Sequence, residues 1–110
     1  MEKVINNNPV CSTIPTVLIV IINWDGKDDL LECLASIRKL SYPKTNYKVL
    51  VVDNESNDGS QAAISKNAPE VCLLQNKRNI GYVKAVNQGI EYGLSEGADY
   101  IWMFNMQRLT

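Results

Sequence analysis

Apolar and polar positions along this chain come in blocks rather than in residue-by-residue alternation. Val17-Leu18-Ile19-Val20-Ile21-Ile22 and Val49-Leu50-Val51-Val52 are unbroken apolar runs, the pattern of strands buried on both faces of a parallel sheet. They predict strands at about 17–23 and 47–53. Between them, Leu30, Leu31, Leu34 and Ile37, with Cys33 among them, recur at helical spacing. Asp28 and Asp29 open that helix, Arg38 and Lys39 sit in its last turn, and Tyr42-Pro43 closes it. A short helix containing Ala62, Ala63 and Ile64 follows the second strand, with Asp58 or Ser60 as its cap and Asn67-Ala68-Pro69 as its end. Val71-Cys72-Leu73-Leu74 reads as a third strand and Tyr100-Ile101-Trp102-Met103-Phe104 as a fourth, ending at Asn105. A helix from Tyr82 to Ser95 joins these two, with Val83, Val86, Ile90 and Leu94 on one face and Gly97 as its stop. Gly89 and Gly93 lower its propensity but permit close packing on a sheet. The β-α-β-α-β-α-β order predicts an α/β fold: an open parallel sheet of four strands, right-handed crossovers and flanking helices.

Both long apolar runs stop at clusters of small polar residues. The first empties into Asn23-Trp24-Asp25-Gly26, the second into Asp53-Asn54-Glu55-Ser56-Asn57-Asp58-Gly59-Ser60. Ligands of open α/β sheets bind at the carboxyl ends of the strands. A carboxylate such as Asp53 suits a base imide or ribose hydroxyl, and an indole such as Trp24 can cover the face of a base. Asn54 and Ser56 are short enough to bond without filling a pocket. Taken singly, Asp53, Asn54 and Ser56 are equally what a turn and a helix cap require. Beside Asn23-Trp24-Asp25 on the adjacent strand end, they read as a site. Asn79-Ile80-Gly81-Tyr82 stands before the long helix, whose first amides could face a phosphate with Lys77, Arg78 or Lys84 nearby. By itself this last motif is an ordinary loop-to-helix transition.

Composition narrows the function. The chain has 110 residues, 45% of them hydrophobic, enough for one domain but not for a second lobe. Eleven basic against twelve acidic residues give a formal net charge of -1, which offers no footprint for nucleic acid or an anionic membrane. Histidine is absent, so Ser-His-Asp and Cys-His catalysis are excluded. Cys11, Cys33 and Cys72 are widely spaced with no Cys-x-x-Cys pair; they argue against a disulfide framework or zinc site and for a reducing, cytoplasmic compartment. The run at 17–22 is far short of the ~20 residues that cross a bilayer. One glycine after the first strand is not a dinucleotide fingerprint, and no Walker loop is present. A receiver-like reading of Asp53 fails because the acidic pair and lysine of such domains are not in place.

In sequence order, Val17 to Gly26, Val51 to Ser60, Asn79-Ile80-Gly81-Tyr82, Asn87-Gln88-Gly89-Ile90 and Gly97-Ala98-Asp99-Tyr100-Ile101 resemble family 2 glycosyltransferases of the GT-A fold, the rhamnosyltransferase-like branch in particular. The likeness covers nearly all of residues 17–105. It implies a Rossmann-like sheet of order 3-2-1-4 and a donor site for a nucleotide-sugar, with UDP or dTDP as the nucleotide. On that pattern Asn23, Trp24 and Asp25 lie beside the base, and Asp53 bonds to base or ribose. Asn54 and Ser56 support the loop, Asn79 and Gly81 shape the donor pocket, and Asn105 begins the metal motif. An acceptor hydroxyl would attack the sugar carbon that bears the diphosphate while Mg²⁺ or Mn²⁺ steadies the leaving group.

The departures from the pattern shape the expectation further. Where the family has Asp-x-Asp or Asn-x-Asp, this chain reads Asn105-Met106-Gln107, and an amide is a poor ligand for a hard divalent cation. No catalytic residue is assigned, because the acceptor half of the family follows this point. Residues 1–15 are expected to form a mobile arm and residues 16–110 a truncated nucleotide-sugar-binding half, inactive in glycosyl transfer to a glycan acceptor by itself and membrane-associated at most through a longer parent. The alternative is a non-catalytic α/β binding or assembly module. In either case the exposed edge of the fourth strand predicts a homo-oligomer.

Overall fold

The computed structural model describes residues 14–104. Strand β1 spans Val17–Asn23, helix α1 Lys27–Arg38, strand β2 Tyr47–Asp53, helix α2 Ser60–Asn67, strand β3 Cys72–Gln75, helix α3 Tyr82–Glu96 and strand β4 Tyr100–Phe104. A single 3-10 turn at Lys44–Asn46 leads into β2. All pairings are parallel and the sheet order is β3-β2-β1-β4, the four-stranded architecture that the resemblance implies. The unbroken apolar runs fall on β1 and β2 at the centre of the sheet, where both faces are covered.

Two cores result. Ile19, Ile21, Val49 and Val51 face α1 and α2 and pack with Leu30, Leu34, Ile37 and Ile64. Leu18, Val20, Leu50 and Val52 face α3 on the other side. Each such side chain contributes roughly 1.5–3 kcal/mol on burial. In α1 the buried residues Leu30, Cys33, Leu34 and Ile37 follow the predicted stripe. Burial raises the Cys33 thiol to about 11, so it stays protonated and behaves as a small apolar side chain.

Helix α3 reaches the sheet by a different surface from its bulky apolar stripe. Its buried residues are Ala85, Gly89 and Gly93, and a Cβ built on Gly89 would come within 2.5 Å of Val20 Cγ1. Small residues therefore let the helix backbone settle directly on β1 and β4. Val83 and Leu94 are left 71% and 70% exposed, Ile90 lies at the surface and Val86 is half-buried.

The start of the described chain is anchored. Asn46 Nδ2 donates to the Ile14 carbonyl at 2.9 Å, and Tyr42 donates to that of Pro15. The Thr16 amide donates to Asp99 Oδ2 at 2.8 Å. Of the expected arm, residues 1–13 lie outside the described residues, and residues 14 and 15 are held against the domain.

Candidate functional site

The carboxyl ends of β1 and β2 lie side by side, with Asn23 in register with Asp53. Both side chains are fully buried. The Asp53 carboxylate accepts hydrogen bonds from Asn23 Nδ2 at 2.8 Å and Ser56 Oγ at 2.7 Å, and on its other oxygen from the Ser56 amide at 2.9 Å and Gln61 Nε2 at 2.6 Å. Four donors fill its acceptor capacity. Ser56 Oγ in turn accepts from Asn23 Nδ2 at 3.1 Å and from the Asp25 amide at 2.8 Å. The two loops that leave the sheet are thereby laced together through one hydroxyl and one carboxylate.

With no exposed surface and both oxygens engaged, Asp53 organises the two loops that leave the sheet. The turn-building reading of Asp53 and Ser56 describes the geometry. Sharp reversals follow both strands, and Asp25 (φ 51°) and Glu55 (φ 63°) take left-handed backbone conformations, which cost side-chain-bearing residues about 1 kcal/mol or more. The Asn57 amide, donating to Asp25 Oδ1 at 2.7 Å, helps hold the first of them.

Above this lacing the Trp24 ring is 61% exposed. Asp25 is exposed beside it, while Asn54 and Ser56 are buried. Asn54 turns the other way along the edge: its Nδ2 donates to the Gly81 carbonyl at 3.2 Å and its Oδ1 accepts from Asn76 Nδ2 at 2.9 Å. Asn76 and Gln88 exchange amide hydrogen bonds at 2.9 and 2.8 Å. Asn79 Oδ1 accepts from the Gly81 amide at 2.8 Å, a local turn that delivers the chain to α3. Gly81 has φ 88° and no atom near a virtual Cβ, so its glycine requirement is conformational rather than steric. One polar chain thus runs from β1 through β2 and β3 to the start of α3. The structure brings together Asn23, Asp25, Asp53, Asn54, Ser56, Asn79 and Gly81 with Trp24 at their rim; Asn105 lies outside the described residues.

Gln61, Asn76 and Gln88 complete this network without having been singled out from the sequence. Asn76 was readable in principle, since it follows β3 at the same carboxyl edge. Gln88 sits in the Asn87–Ile90 block. Gln61 carries no local signal, because its partner Asp53 lies eight residues back across a turn.

A shallow hollow of about 410 Å³ opens at the turn between β1 and α1, lined by Asp25, Gly26, Lys27, Asp28, Asp29 and Asp58. Its charge is predominantly negative, unfavourable to a phosphate. Asp58 sits between two helices. It accepts the Lys27 amide of α1 at 2.9 Å, the Ser60 amide of α2 at 3.0 Å and the Ser60 hydroxyl. Partial burial works against its charge, but the bonds from Ser60 and Lys27 prevail and hold its pKa below the ordinary carboxylate value. Among the described residues no group of three or more His, Cys, Asp or Glu could hold a metal ion. The positive side of the edge lies opposite, where exposed Lys77 and Arg78 precede the Asn79 turn.

Comparison with known proteins bears on this edge. Residues 16–105 match the family described as Glycosyl transferase family 2. The glycosyltransferase AglE of Haloferax volcanii is 34% identical over 83 residues, which cover 73% of this chain and 27% of that protein. A mannosyltransferase of Pyrobaculum calidifontis, PcManGT, solved in complex with GDP-Man and Mn²⁺, superposes with a TM-score of 0.65 at 23% identity, over 74% of this chain and 25% of that one. TarS of S. aureus superposes with a TM-score of 0.63 at 20% identity, over 83% of this chain and 16% of that one. The two structures share the fold, and the chain spans about a quarter of the length of AglE and PcManGT. No helix among the described residues is long and apolar enough to cross a membrane.

Proposed function

The chain belongs to glycosyl transferase family 2, and from that membership we propose that it forms the nucleotide-sugar-binding part of an enzyme that transfers a sugar to a glycan acceptor. The observation that carries the proposal is the laced carboxyl edge itself. A buried Asp53–Ser56–Asn23 clasp fixes two loops and leaves the Trp24 ring exposed at their rim. A rigid exposed indole is a stacking platform for a base, and Asp25 with the backbone of the 54–57 loop supplies polar groups around it. The acidic hollow at the β1–α1 turn disfavours the diphosphate there. The phosphates therefore run towards Lys77, Arg78 and the Asn79–Gly81 turn at the amino end of α3, where the helix dipole favours an anion.

The nucleotide we favour is pyrimidine, as UDP or dTDP, in the manner of the rhamnosyltransferase-like branch. PcManGT was solved with GDP-Man, so GDP is the competitor to test. A divalent cation accompanies the donor in PcManGT, but the described residues offer it no carboxylate cluster and Gln107 stands where the family has an acid. The residues present do not fit Mg²⁺ or Mn²⁺, and we assign it no step. Among the described residues we assign no base for the acceptor hydroxyl. The chain by itself is proposed to bind donor without turning it over, in a reducing, cytoplasmic setting consistent with the free thiols of Cys33 and Cys72. Self-association through the β4 edge belongs to the same reading.

Ligand-observed NMR with UDP, dTDP and GDP, each with and without Mn²⁺, tests this directly. Saturation transfer to UDP and dTDP, unaltered by Mn²⁺, is expected. Transfer to GDP alone, or to none of the three, overturns the assignment.

A further inference from the structure

The side-chain hydrogen bonds of the carboxyl edge fall into two sets that meet only along the backbone. One is the clasp of Asn23, Asp53, Ser56 and Gln61 beneath Trp24. The other is made of amides. Gln88 and Asn76 exchange hydrogen bonds, Asn76 Nδ2 also donates to Asn54 Oδ1, and Asn54 Nδ2 donates to the Gly81 carbonyl. Gly81 immediately precedes α3, and α3 carries Gln88 in its second turn. These bonds therefore close a circuit from the helix through the ends of β3 and β2 and back to the helix. Among the described residues no side-chain hydrogen bond joins the two sets. Their links are main-chain: the Asn54 amide donates to the Asn23 carbonyl, and the Asn76 amide to that of Asp53.

A carbonyl only accepts, so the Gly81 end sets the direction of the whole circuit. Asn54 must turn Nδ2 to Gly81 and Oδ1 to Asn76, and Asn76 must then donate. Gln88, bonded to both ends of the Asn76 amide, holds it in that sense. Gly81 needs the support, because φ 88° with ψ 163° is a sparsely populated region open in practice only to glycine. Such a conformation persists where several bonds over-determine it. Its amide donates to Asn79 Oδ1, and its carbonyl accepts from the Ala85 amide and from Asn54. The first two bonds are local to the turn and the helix; the Asn54 bond alone ties the turn to the end of β2. We infer that Asn76 and Gln88 are positioning residues for the diphosphate end of the donor, an assignment that rests on the donor reading above. They hold the Gly81 turn ready through Asn54, while the Asp53 clasp independently readies Trp24 for the base.

Titration of the whole chain with uridine and with UDP, followed by ¹H–¹⁵N correlation, separates the two ends. Gln88→Met keeps the length and helix propensity of the side chain and breaks the amide pair. Without the circuit the Gly81 turn is populated only in part, and a ligand that needs it binds more weakly by that fraction. UDP affinity is expected to fall about tenfold and uridine affinity to stay within about twofold. Asn76→Leu should act alike, and the two together should cost no more than either alone, since each opens the same circuit. Trp24→Ala should instead lower both ligands alike. In ligand-free Gln88→Met the Gly81 and Tyr82 amides should shift, although they lie about 10 Å away along the helix. A variant that merely loosened the fold would lower uridine and UDP together. That result, or UDP affinity unchanged in either variant, overturns the positioning role and leaves the donor reading standing. Wild type that binds uridine no less tightly than UDP takes the diphosphate away from this turn and overturns the positioning role, while wild type that binds neither overturns the donor reading with it.

Discussion

Asp53 has four hydrogen-bond donors and no solvent, and that fixes what its removal does. Asp53→Ala removes the acceptor of the buried Ser56 amide and hydroxyl, and leaves the Asn23 and Gln61 side-chain amides with only Ser56 Oγ and the Ser56 carbonyl. Unsatisfied buried groups cost about 1–3 kcal/mol each, so with partial relaxation a loss of about 3 kcal/mol is expected in urea unfolding. Unchanged stability with lost nucleotide affinity would restore Asp53 to direct contact with the ligand. Trp24 is the complement: exposed, with a ring that the fold does not need. Trp24→Ala should leave stability within about 0.5 kcal/mol but weaken UDP binding about tenfold or more, the range for one stacked base; titration calorimetry reads this. Asp58 contributes to the pH dependence. Its lowered folded pKa means that its stabilisation is present above the ordinary carboxylate value and is lost as pH falls through the lowered one. Wild type should therefore lose stability from about pH 4 downward, and Asp58→Asn should be less stable at pH 7 with a flatter acid limb. At this scale the sequence names the residues but not their exposure. Whether a strand-end carboxylate faces solvent depends on how the next loop closes, and here Ser56 and Gln61 close it.

At the level of elements, the central strands and α1 are legible because burial on both faces of a strand, or on one stripe of a helix, imposes a period on the residues themselves. α3 is where that logic divides. Val83, Val86, Ile90 and Leu94 form an apolar stripe, yet Ala85, Gly89 and Gly93 meet the sheet, because close backbone approach favours small residues over large ones. Periodicity marks both stripes and does not say which one the sheet takes. The glycines can be ranked by what a methyl group would strike. At Gly89 it meets Val20, a β-branched side chain enclosed in the core; at Gly93 it meets Cδ1 and Cγ1 of Ile101 at 2.5 and 2.7 Å, a half-buried side chain on β4 with more room to shift. Alanine gains ~1 kcal/mol of helix propensity at either site, against ~1–3 kcal/mol of overpacking where the neighbour cannot yield. Thermal unfolding should show Gly89→Ala destabilised by about 1 kcal/mol and Gly93→Ala close to neutral. Equal losses at the two sites would mean that the helix shifts as a unit.

For the molecule as a whole, the sheet order separates two surfaces. The carboxyl edge of β1 and β2 carries the laced loops and Trp24, while β4 carries the exposed Tyr100 and Trp102. Among the described residues, order 3-2-1-4 puts the first at the centre of the sheet and the second at its margin. The family and the parallel topology were readable from five polar and glycine-containing blocks in register; which nucleotide enters, and whether it enters at all, depends on loop shape. The most direct measurement is a ¹H–¹⁵N correlation titration of the chain with UDP. The account predicts saturable shifts of the Trp24 indole and of backbone amides at 23–26, 54–57 and 79–82, with the outer side of α3 and β4 unmoved. Shifts confined to other surfaces, or a spectrum unchanged at millimolar UDP, dTDP and GDP alike, would contradict it.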